Sequence, residues 1–438
     1  MKPYPRKNDS VSVLGLGRSG MATVEYFVEK GMRVYAYDDA PPKALREIGE
    51  RLSLLGVPLF AGGEGEIRGD FVFRSPVIRP DTPRLCRAAL RGSVIWGEAE
   101  YFAARCPSLV YAVSGSDGKT TTASLLCALL TQTGKRVYLG GNIGRSLLPF
   151  LDRMGEEDLC VLELSSFQLM DFDAPLYTGI LTNLSPNHLN WHKDMAEYTA
   201  AKRRLLSLSS RRVIRKGLFD EEGGTRFSAY EQADFCLRGN LLYGRGIPLC
   251  RLDDMRLAGL HNVENLLAAA AAAENTVRPH DVLSAARHFS GVAHRMEWVA
   301  KINGVDYYNS SIDTTPTRTA VTLEAFRGRG GRRLLLLGGR DKGVPFDILA
   351  DAVLRDGALP YLFGEAGELI GRALRTRGIA YTVAETMADA LFVASRHAAC
   401  GDIVLLSPAC TAFDAYRDFE ERGEVFRRLV KDINKTSI

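Results

Sequence analysis

The amino-acid sequence predicts an α/β protein of three domains, and two observations support this. Strand–helix–strand patterns begin three times, near residues 11, 109 and 334. The chain has 438 residues, too many for one hydrophobic core, and about one domain per ~150 residues gives three. We expect a Rossmann-like N-terminal domain, a central domain with a parallel or mixed sheet, and a Rossmann-like C-terminal domain, at residues 1–98, 99–293 and 294–438.

A glycine-rich turn links the first predicted strand to the first predicted helix. The elements expected here are a strand, a helix and a second strand, at residues 11–14, 19–30 and 33–37. Gly15, Gly17 and Gly20 have the spacing of the dinucleotide-binding fingerprint. Asp38 and Asp39 follow the second strand, where such folds hold a ribose-binding acid. The turn predicts a diphosphate site, and leaves open whether the ligand is NAD or another diphosphate compound.

A second glycine-rich turn, from Gly115 to Thr120, also joins a predicted strand to a predicted helix. It is a shortened phosphate loop, because Val113 stands where the full pattern has a glycine. Backbone N–H groups and the helix N-terminus favour phosphate there, Lys119 reaches the terminal phosphates, and Thr120 ligates Mg²⁺. A surface turn with an exposed lysine is the competing interpretation. The flanking strand and helix favour a nucleotide site and a central domain of the P-loop ATPase type.

Polar residues follow further predicted strands of the central domain. The strands expected there lie at residues 109–113, 137–139, 159–164 and 178–182. Glu163 lies at the end of the third strand, and Asn183 and His188 follow the fourth. Ligands bind beyond the C-terminal ends of parallel strands, and Mg²⁺ prefers oxygen ligands. We therefore expect Glu163 to bind metal, with His188 nearby, although either residue alone would be an ordinary strand-end acid or core histidine.

The remaining segments complete the predicted organisation. In the C-terminal domain we expect strands at residues 334–337, 361–363 and 403–406. The apolar run 266–273 is far shorter than the ~20 residues of a membrane span, so it predicts a buried helix. Residues 211–246 form a long stretch without clear periodicity.

Composition excludes several classes of protein. With 46% hydrophobic and 25% charged residues, the chain is typical of a soluble globular protein, and its polar start predicts no signal peptide. The eight cysteines contain no C-x-x-C pair, which predicts reduced core thiols and a cytoplasmic protein. A net charge of +4 is weak for nucleic-acid binding. We expect the arginine pairs at 203–204, 211–212 and 332–333 to lie on solvated faces.

Nine stretches together resemble the Mur ligases, ATP-dependent amide-forming enzymes that build the peptide of the bacterial cell wall. They occur in family order at GLGRSG (15–20), GSDGKTTT (115–122), GGNIG (140–144), ELSSFQL (163–169), NHLNWH (187–192), GLHNVEN (259–265), HRME (294–297), GGRDKG (338–343) and SPAC (407–410). ELSSFQL discriminates best between branches of the family, and the D-N-P-R signature of the branch that adds a third amino acid is absent. The resemblance implies a ligase that adds D-glutamate to UDP-N-acetylmuramoyl-L-alanine through an acyl phosphate.

The resemblance also implies roles for individual residues. Lys119, His188 and Lys202 would be catalytic, and two Mg²⁺ ions would be held by Thr120, Glu163, His188 and Lys202, the last as a carbamylated lysine. ATP would be bound by Gly115, Ser116, Asp117, Gly118, Lys119, Thr120, Thr121, Asn262, Asn265 and Arg295. The other substrates would be bound by Gly17, Arg18, Ser19, Asp38, Ser75, Asn142, Ser165, Lys342, Phe413 and Phe419. We expect a monomer, with no nucleic-acid partner and no membrane insertion.

Four positions depart from the usual pattern of this family. Val77 replaces a glycine, Asn187 an aspartate and Ala412 a serine, and residues 309–314 replace the frequent N-D-S-K-A-T. Asp313 is expected to compensate for the missing hinge aspartate. These changes affect the expected contacts to ribose and D-glutamate more than the class of reaction.

Two other hypotheses remain at this point. A degenerate ligase that binds ATP without turnover would be a nucleotide sensor, and the four departures are compatible with it. An NAD-linked oxidoreductase would use the first glycine-rich turn, but it leaves the second turn, Glu163 and His188 unexplained.

Overall fold

The structure is a computed structural model that describes residues 2–63, 65–143, 146–257, 259–327 and 330–436. The chain divides into two compact units, residues 1–289 and 290–438. Within the described ranges, no helix is both long and apolar enough to cross a membrane.

The first sheet is parallel and belongs to the first unit. Its strands are β1 (Ser10–Leu14), β2 (Arg33–Asp38), β3 (Leu59–Ala61), β4 (Phe71–Arg74) and β5 (Val94–Gly97). Their order is β3-β2-β1-β4-β5, so β1 is central and its C-terminal end lies between those of β2 and β4. The accompanying helices are α1 (Arg18–Glu29), α2 (Arg46–Leu54), α3 (Pro83–Leu90) and α4 (Glu98–Arg105).

The second sheet of the first unit is larger and mixed. Its strands are β6 (Leu109–Ser114), β7 (Val137–Gly141), β8 (Leu159–Glu163), β9 (Leu176–Leu181), β10 (Ser209–Arg215), β11 (Thr225–Ser228), β12 (Phe235–Arg238), β13 (Leu241–Gly244) and β14 (Ile247–Arg251). The order is β14-β13-β12-β11-β10-β9-β6-β8-β7, parallel except for β12-β13-β14. Its helices are α5 (Lys119–Thr131), α6 (Ser166–Leu169), α7 (Met195–Ser207), α8 (Leu260–Ala273) and α9 (Pro279–His288).

The second unit holds one mixed sheet. Its strands are β15 (Glu297–Ile302), β16 (Val305–Asn309), β17 (Arg333–Gly338), β18 (Leu359–Phe363), β19 (Thr382–Val383) and β20 (Ile403–Ala409). The order is β15-β16-β20-β17-β18-β19, and only the β15–β16 pair is antiparallel. Its helices are α10 (Pro316–Ala325), α11 (Asp347–Asp356), α12 (Gly367–Arg375), α13 (Met387–His397) and α14 (Phe419–Thr436).

Helix α8 shows how the core positions the functional loops. Its alanine run, residues 268–273, is buried and α8 packs along α5. Alanine favours helix and its small side chain permits close packing, so this segment needs no larger apolar residues. The predicted buried helix is therefore confirmed. Its packing brings the first turns of α8 beside the loop that precedes α5.

The α/β class is confirmed, and the predicted strands match observed ones within a few residues. The segment 211–246, which shows no clear periodicity in the sequence, nevertheless contains most of β10 and all of β11, β12 and β13. Three of these strands have only four residues each, which is too few for a clear alternation of buried and exposed side chains. The β15–β16 hairpin was also missed, although Asn303 and Gly304, which separate its two strands, are a typical two-residue hairpin turn.

The structure corrects two further expectations. The arginine pairs do not simply face solvent: Arg211 forms an ion pair with Glu274, and Arg333 forms one with Asp356 while remaining only 14% exposed. All eight cysteines lie in the described ranges and none forms a disulfide, but Cys86 is exposed and is not a core thiol. Cys400 is exposed as well.

Candidate active site

The phosphate loop joins β6 to α5 and requires glycine at two positions. Gly115 has φ +150°, and a Cβ there would collide with Thr182 Oγ1. Gly118 has φ +75° and a Cβ would collide with Asn265 Oδ1. L-residues with side chains rarely adopt such positive φ values. The loop thus directs its backbone toward the N-terminus of α5, where Lys119 is the first helical residue.

Residues that follow β9 support this loop. Asn183 Oδ1 accepts a hydrogen bond from Asp117 N at 2.8 Å, and Thr182 Oγ1 donates to Asp117 O at 2.6 Å. Ser116 Oγ donates to Ser185 O at 2.9 Å. The prediction that strand-end residues gather here is therefore confirmed for Asn183. Its role is to fix the loop conformation.

The Lys119 side chain lies over the phosphate loop, where it is expected to bind phosphate. Its Nζ donates to Ser116 O at 2.7 Å. A bound phosphate would offer this ammonium a charged acceptor, which forms a stronger hydrogen bond than a neutral carbonyl. Thr121 is in the first turn of α5, beside Thr120.

Glu163 ends β8 and is the centre of a polar cluster. It is buried, its Oε2 accepts from Thr120 Oγ1 at 2.7 Å, and its Oε1 accepts from Asn142 Nδ2 at 2.7 Å. Asn142 N also donates to Glu163 O at 2.8 Å. Gly141, at the end of β7, has φ +93°, and a Cβ there would collide with Glu163 O. Gly144, the last residue of the GGNIG stretch, lies outside the described residues.

The donor set around Glu163 fits a magnesium ion shared with phosphate. A hydroxyl and a carboxylate are hard oxygen ligands, and Mg²⁺ often takes only one or two such groups from a protein. Across the described residues, no group of three or more His, Cys, Asp or Glu side chains forms a metal cage. Phosphate oxygens and water would therefore supply the remaining ligands to Thr120 and Glu163.

Lys202 is buried against the same loop. It lies on α7, its Nζ donates to Gly115 O at 2.7 Å, and it lies 4.8 Å from the centre of the Tyr198 ring. Burial, followed by the positive charge of Lys119, lowers the pKa of Lys202 to about 7. A substantial neutral fraction at neutral pH is the chemical requirement for carbamylation by CO₂.

His188 lies on the loop between β9 and α7. Its backbone has φ 55°, and its carbonyl accepts from Trp191 N and His192 N, both at 3.0 Å. Partial burial, followed by the charges of Lys119 and Lys202, lowers the pKa of His188. A neutral imidazole can act as a metal ligand. His188 therefore lies close enough to the two lysines for their charges to act on its pKa.

Sequence reasoning missed His192, which anchors this loop. It is buried between Ser166 Oγ, 2.9 Å from its Nε2, and Glu197 Oε2, 3.2 Å from its Nδ1. Arg79 donates to the same carboxylate group and to Trp191 O. The second histidine of NHLNWH was the available signal, but its burial depends on residues distant in sequence.

The remaining ATP candidates of the first unit lie at the start of α8. Asn265 is buried, its Oδ1 accepts from Thr122 Oγ1 at 3.1 Å, and its Nδ2 donates to Asn262 Oδ1 at 3.3 Å. Asn265 thus supports the phosphate loop at Gly118.

Ser165, a predicted substrate contact, caps α6, with its Oγ accepting from Gln168 N at 3.2 Å.

The first glycine-rich turn forms a second loop in the first unit. Gly15 has φ +88° and a Cβ there would collide with Ser75 Cβ, while a Cβ on Gly20 would collide with Gly15 O. Gly17 caps α1, so Arg18 and Ser19 begin that helix. Asp38 accepts from Leu16 N at 2.8 Å and from Ala40 N at 2.9 Å. Asp38 therefore braces the loop, whereas Asp39 forms an ion pair with Arg84.

Four predicted site residues belong to the second unit. Lys342 Nζ donates to Thr314 Oγ1 at 3.3 Å, and Phe413 is 58% exposed. Phe419 begins α14, and Arg295 lines a cleft of about 210 Å³. The cleft also includes Asp313, but its carboxylate accepts from Thr322 Oγ1 at 2.8 Å and Ser407 Oγ at 2.7 Å.

Comparison with known proteins agrees with this geometry. The chain matches the Mur ligase middle domain over residues 113–233 and the Mur ligase glutamate ligase domain over residues 294–410. A UDP-N-acetylmuramoylalanine--D-glutamate ligase of Clostridium perfringens is 38% identical, covering 98% of this chain and 97% of the relative. The ligase of that name from Ruminiclostridium cellulolyticum is 35% identical, with the same coverage. This chain belongs to the Mur ligase family.

Solved structures of other Mur ligases share the fold. The UDP-N-acetylmuramate-alanine ligase of Thermotoga maritima aligns over 98% of this chain and 100% of its own, with a TM-score of 0.59 and 20% identity. A pseudomurein peptide ligase of Methanothermus fervidus aligns over 97% and 100%, with a TM-score of 0.52 and 16% identity. The family resemblance seen in the sequence is confirmed.

Proposed function

We propose that this Mur ligase adds D-glutamate to UDP-N-acetylmuramoyl-L-alanine with hydrolysis of ATP to ADP and phosphate. The observation that carries the proposal is the phosphate loop with Lys119 over it and with Thr120 and Glu163 beside it. The chain is also 38% identical to a UDP-N-acetylmuramoylalanine--D-glutamate ligase over nearly its whole length. The product belongs to the synthesis of peptidoglycan precursors.

The chain's residues would act mainly by positioning and by neutralising charge. The carboxylate of the UDP-linked substrate attacks the γ-phosphate of ATP, forming an acyl phosphate and ADP. The amine of D-glutamate then displaces phosphate and forms the amide. Several anions must come together, so Lys119 and the backbone N–H groups of the loop supply the compensating positive charge. Asn142, fixed by Glu163, is the proposed contact to substrate and phosphate.

Magnesium would neutralise phosphate charge in this site. Thr120 and Glu163 are the residues that would hold one ion, and His188 would hold a second together with carbamylated Lys202. The buried position of Lys202 and its pKa of about 7 support the carbamylation. The first glycine-rich loop would bind the uridine diphosphate, with Gly17, Arg18, Ser19, Asp38 and Ser75 around it.

The other assignments belong to the same proposal. Asn262, Asn265 and Arg295 would bind ATP. Lys342, Phe413 and Phe419, in the C-terminal amino-acid-binding domain, would contact D-glutamate, and Ser165 would contact substrate. We propose domain boundaries near residues 98 and 293, a monomeric state and a cytoplasmic location, where ATP is available. No nucleic acid or membrane insertion is required.

A direct assay tests this function. Purified protein is supplied with ATP, Mg²⁺, UDP-N-acetylmuramoyl-L-alanine and one amino acid from a panel, and ADP, phosphate and product mass are followed. We expect product with D-glutamate. Product with another amino acid alone would overturn the substrate assignment, and ATP binding without turnover in every mixture would favour a nucleotide sensor. Tight NAD binding without phosphate release would favour an oxidoreductase.

A further inference from the structure

Arg422 is a charged side chain buried completely in the second unit. It lies on α14 and is 0% exposed. Among the described residues, no carboxylate forms an ion pair with it, although Asp414 and Asp313 lie near enough to favour its charge. Burial lowers its pKa to about 10, so the guanidinium keeps its charge at neutral pH. A buried charge is costly unless it is well hydrogen-bonded.

The guanidinium binds three loops, each at the C-terminal end of a strand. Nε donates to Ser311 Oγ at 3.0 Å and Nη2 to Ser311 O at 2.9 Å, after β16. Nη2 donates to Cys410 O at 3.1 Å and Nη1 to Thr411 O at 3.0 Å, after β20. Nη1 also lies 3.5 Å from Gly338 O, at the end of β17. Five donors in a planar fork suit arginine to such a junction.

These loops carry the proposed amino-acid site. Lys342 follows β17 and Phe413 follows β20, and their loops are joined by a backbone pair in which Arg340 and Thr411 each donate to the other's carbonyl at 3.0 Å. Ser311 Oγ accepts a hydrogen bond from Arg422 Nε and donates one to Phe419 O at 2.8 Å. Arg422 therefore holds the loops of Lys342 and Phe413, and Phe419, at the start of the same helix as Arg422, is tied to them through Ser311.

We propose that Arg422 is a positioning residue for the amino-acid substrate, because its guanidinium holds the loops that carry Lys342 and Phe413 against the start of its own helix, where Phe419 lies. The inference rests on the proposed function. D-Glutamate carries two carboxylates and one amine, so its recognition depends on several groups at fixed spacing. Lysine would keep the charge but offers three donors on a single nitrogen, and it cannot reproduce the planar fork.

Arg333 provides a matched control in the same sheet. It lies at the opposite end of β17, is 14% exposed, and donates through Nε to Asp356 Oδ1 at 2.9 Å. Arg333→Lys removes a comparable set of bonds from the strand end away from the proposed site. We expect Arg333→Lys and Arg422→Lys each to lower Tm. Only Arg422→Lys should change the use of D-glutamate.

The experiment measures initial rates with D-glutamate varied at saturating ATP and UDP-N-acetylmuramoyl-L-alanine, well below each variant's Tm. For Arg422→Lys we expect KM for D-glutamate to rise about tenfold, with kcat and the KM for the UDP-linked substrate within about twofold of wild type. A lower kcat with unchanged KM for D-glutamate, or a profile equal to that of Arg333→Lys, would overturn the proposal.

A second variant covers the case in which Arg422→Lys does not fold. Ser311→Ala removes the hydroxyl that accepts from Arg422 Nε and donates to Phe419 O, and it leaves the other guanidinium bonds in place. We expect a KM for D-glutamate about threefold higher, since one link of several is lost. An unchanged KM would count against the positioning role. Failure of the wild-type protein to use D-glutamate would instead contradict the proposed function.

Discussion

The two glycine-rich loops of the first unit use the same backbone device but differ in their side chains. Both follow a parallel strand, both need glycines for close approaches, and both lead into a helix N-terminus. The first is braced by one carboxylate, that of Asp38. The second adds Lys119 above it and Thr120 and Glu163 beside it. Backbone geometry alone thus provides for anion binding, whereas phosphoryl transfer needs a cation and metal-binding oxygens as well.

Removing the cation of the second loop should have the largest effect. We expect Lys119→Ala to lower kcat by at least about 10³-fold, because the ammonium compensates charge that develops on the transferred phosphoryl group. Circular dichroism and Tm should remain near wild type. Lys135→Ala, at an exposed ion pair beyond α5, is the control and should keep full activity. Near-normal turnover in Lys119→Ala would mean that the second loop needs no cation for phosphoryl transfer, and the proposed difference between the two loops would be wrong.

Glu163→Gln tests the metal-binding oxygens. The amide keeps the size of the side chain and an acceptor for Thr120 or Asn142, but it loses the negative charge that attracts Mg²⁺. We expect kcat to fall about 10²-fold and the Mg²⁺ concentration for half-maximal rate to rise. The exposed Glu157→Gln is the control. An unchanged Mg²⁺ dependence would exclude Glu163 as a ligand.

The lowered pKa of Lys202 predicts that carbamylation beside the second loop depends on pH. This pKa of about 7 lies below the usual value for lysine, so the amine is mostly protonated at pH 6 and mostly neutral at pH 8. At constant dissolved CO₂, we expect the carbamate population to rise with pH over this range, by up to about tenfold if the neutral amine is limiting. Carbon-13 NMR with labelled CO₂ measures it, with Lys202→Met as the blank. Absence of the signal at pH 8 and saturating CO₂ would contradict carbamylation.

The sequence predicts these loops well because both are local. Glycine spacing and a strand followed by a helix are contained in about ten residues, and the ends of neighbouring parallel strands meet by topology. The burial of Lys202 beside Arg203 could not be read from its helix alone, and only the family resemblance singled it out. Asn265 and Thr122 meet across 143 positions. Contacts of that kind, and the guanidinium junction of Arg422, depend on tertiary packing that leaves no local pattern.

The smallest predicted effect distinguishes Asp38 from Asp39, the two acids at the end of β2 beside the first loop. Asp38→Asn retains one acceptor, so one of the bonds from Leu16 N and Ala40 N should weaken, and the loop should hold its diphosphate less firmly. We expect KM for the UDP-linked substrate to rise about fivefold, with KM for ATP unchanged. Asp39→Asn loses the ion pair between an exposed carboxylate and Arg84, and should change either KM by less than about twofold. A larger rise in KM for Asp39→Asn than for Asp38→Asn would indicate that Asp39, and not Asp38, contacts the nucleotide. A change in KM for ATP in Asp38→Asn would indicate that the two loops do not bind separate ligands.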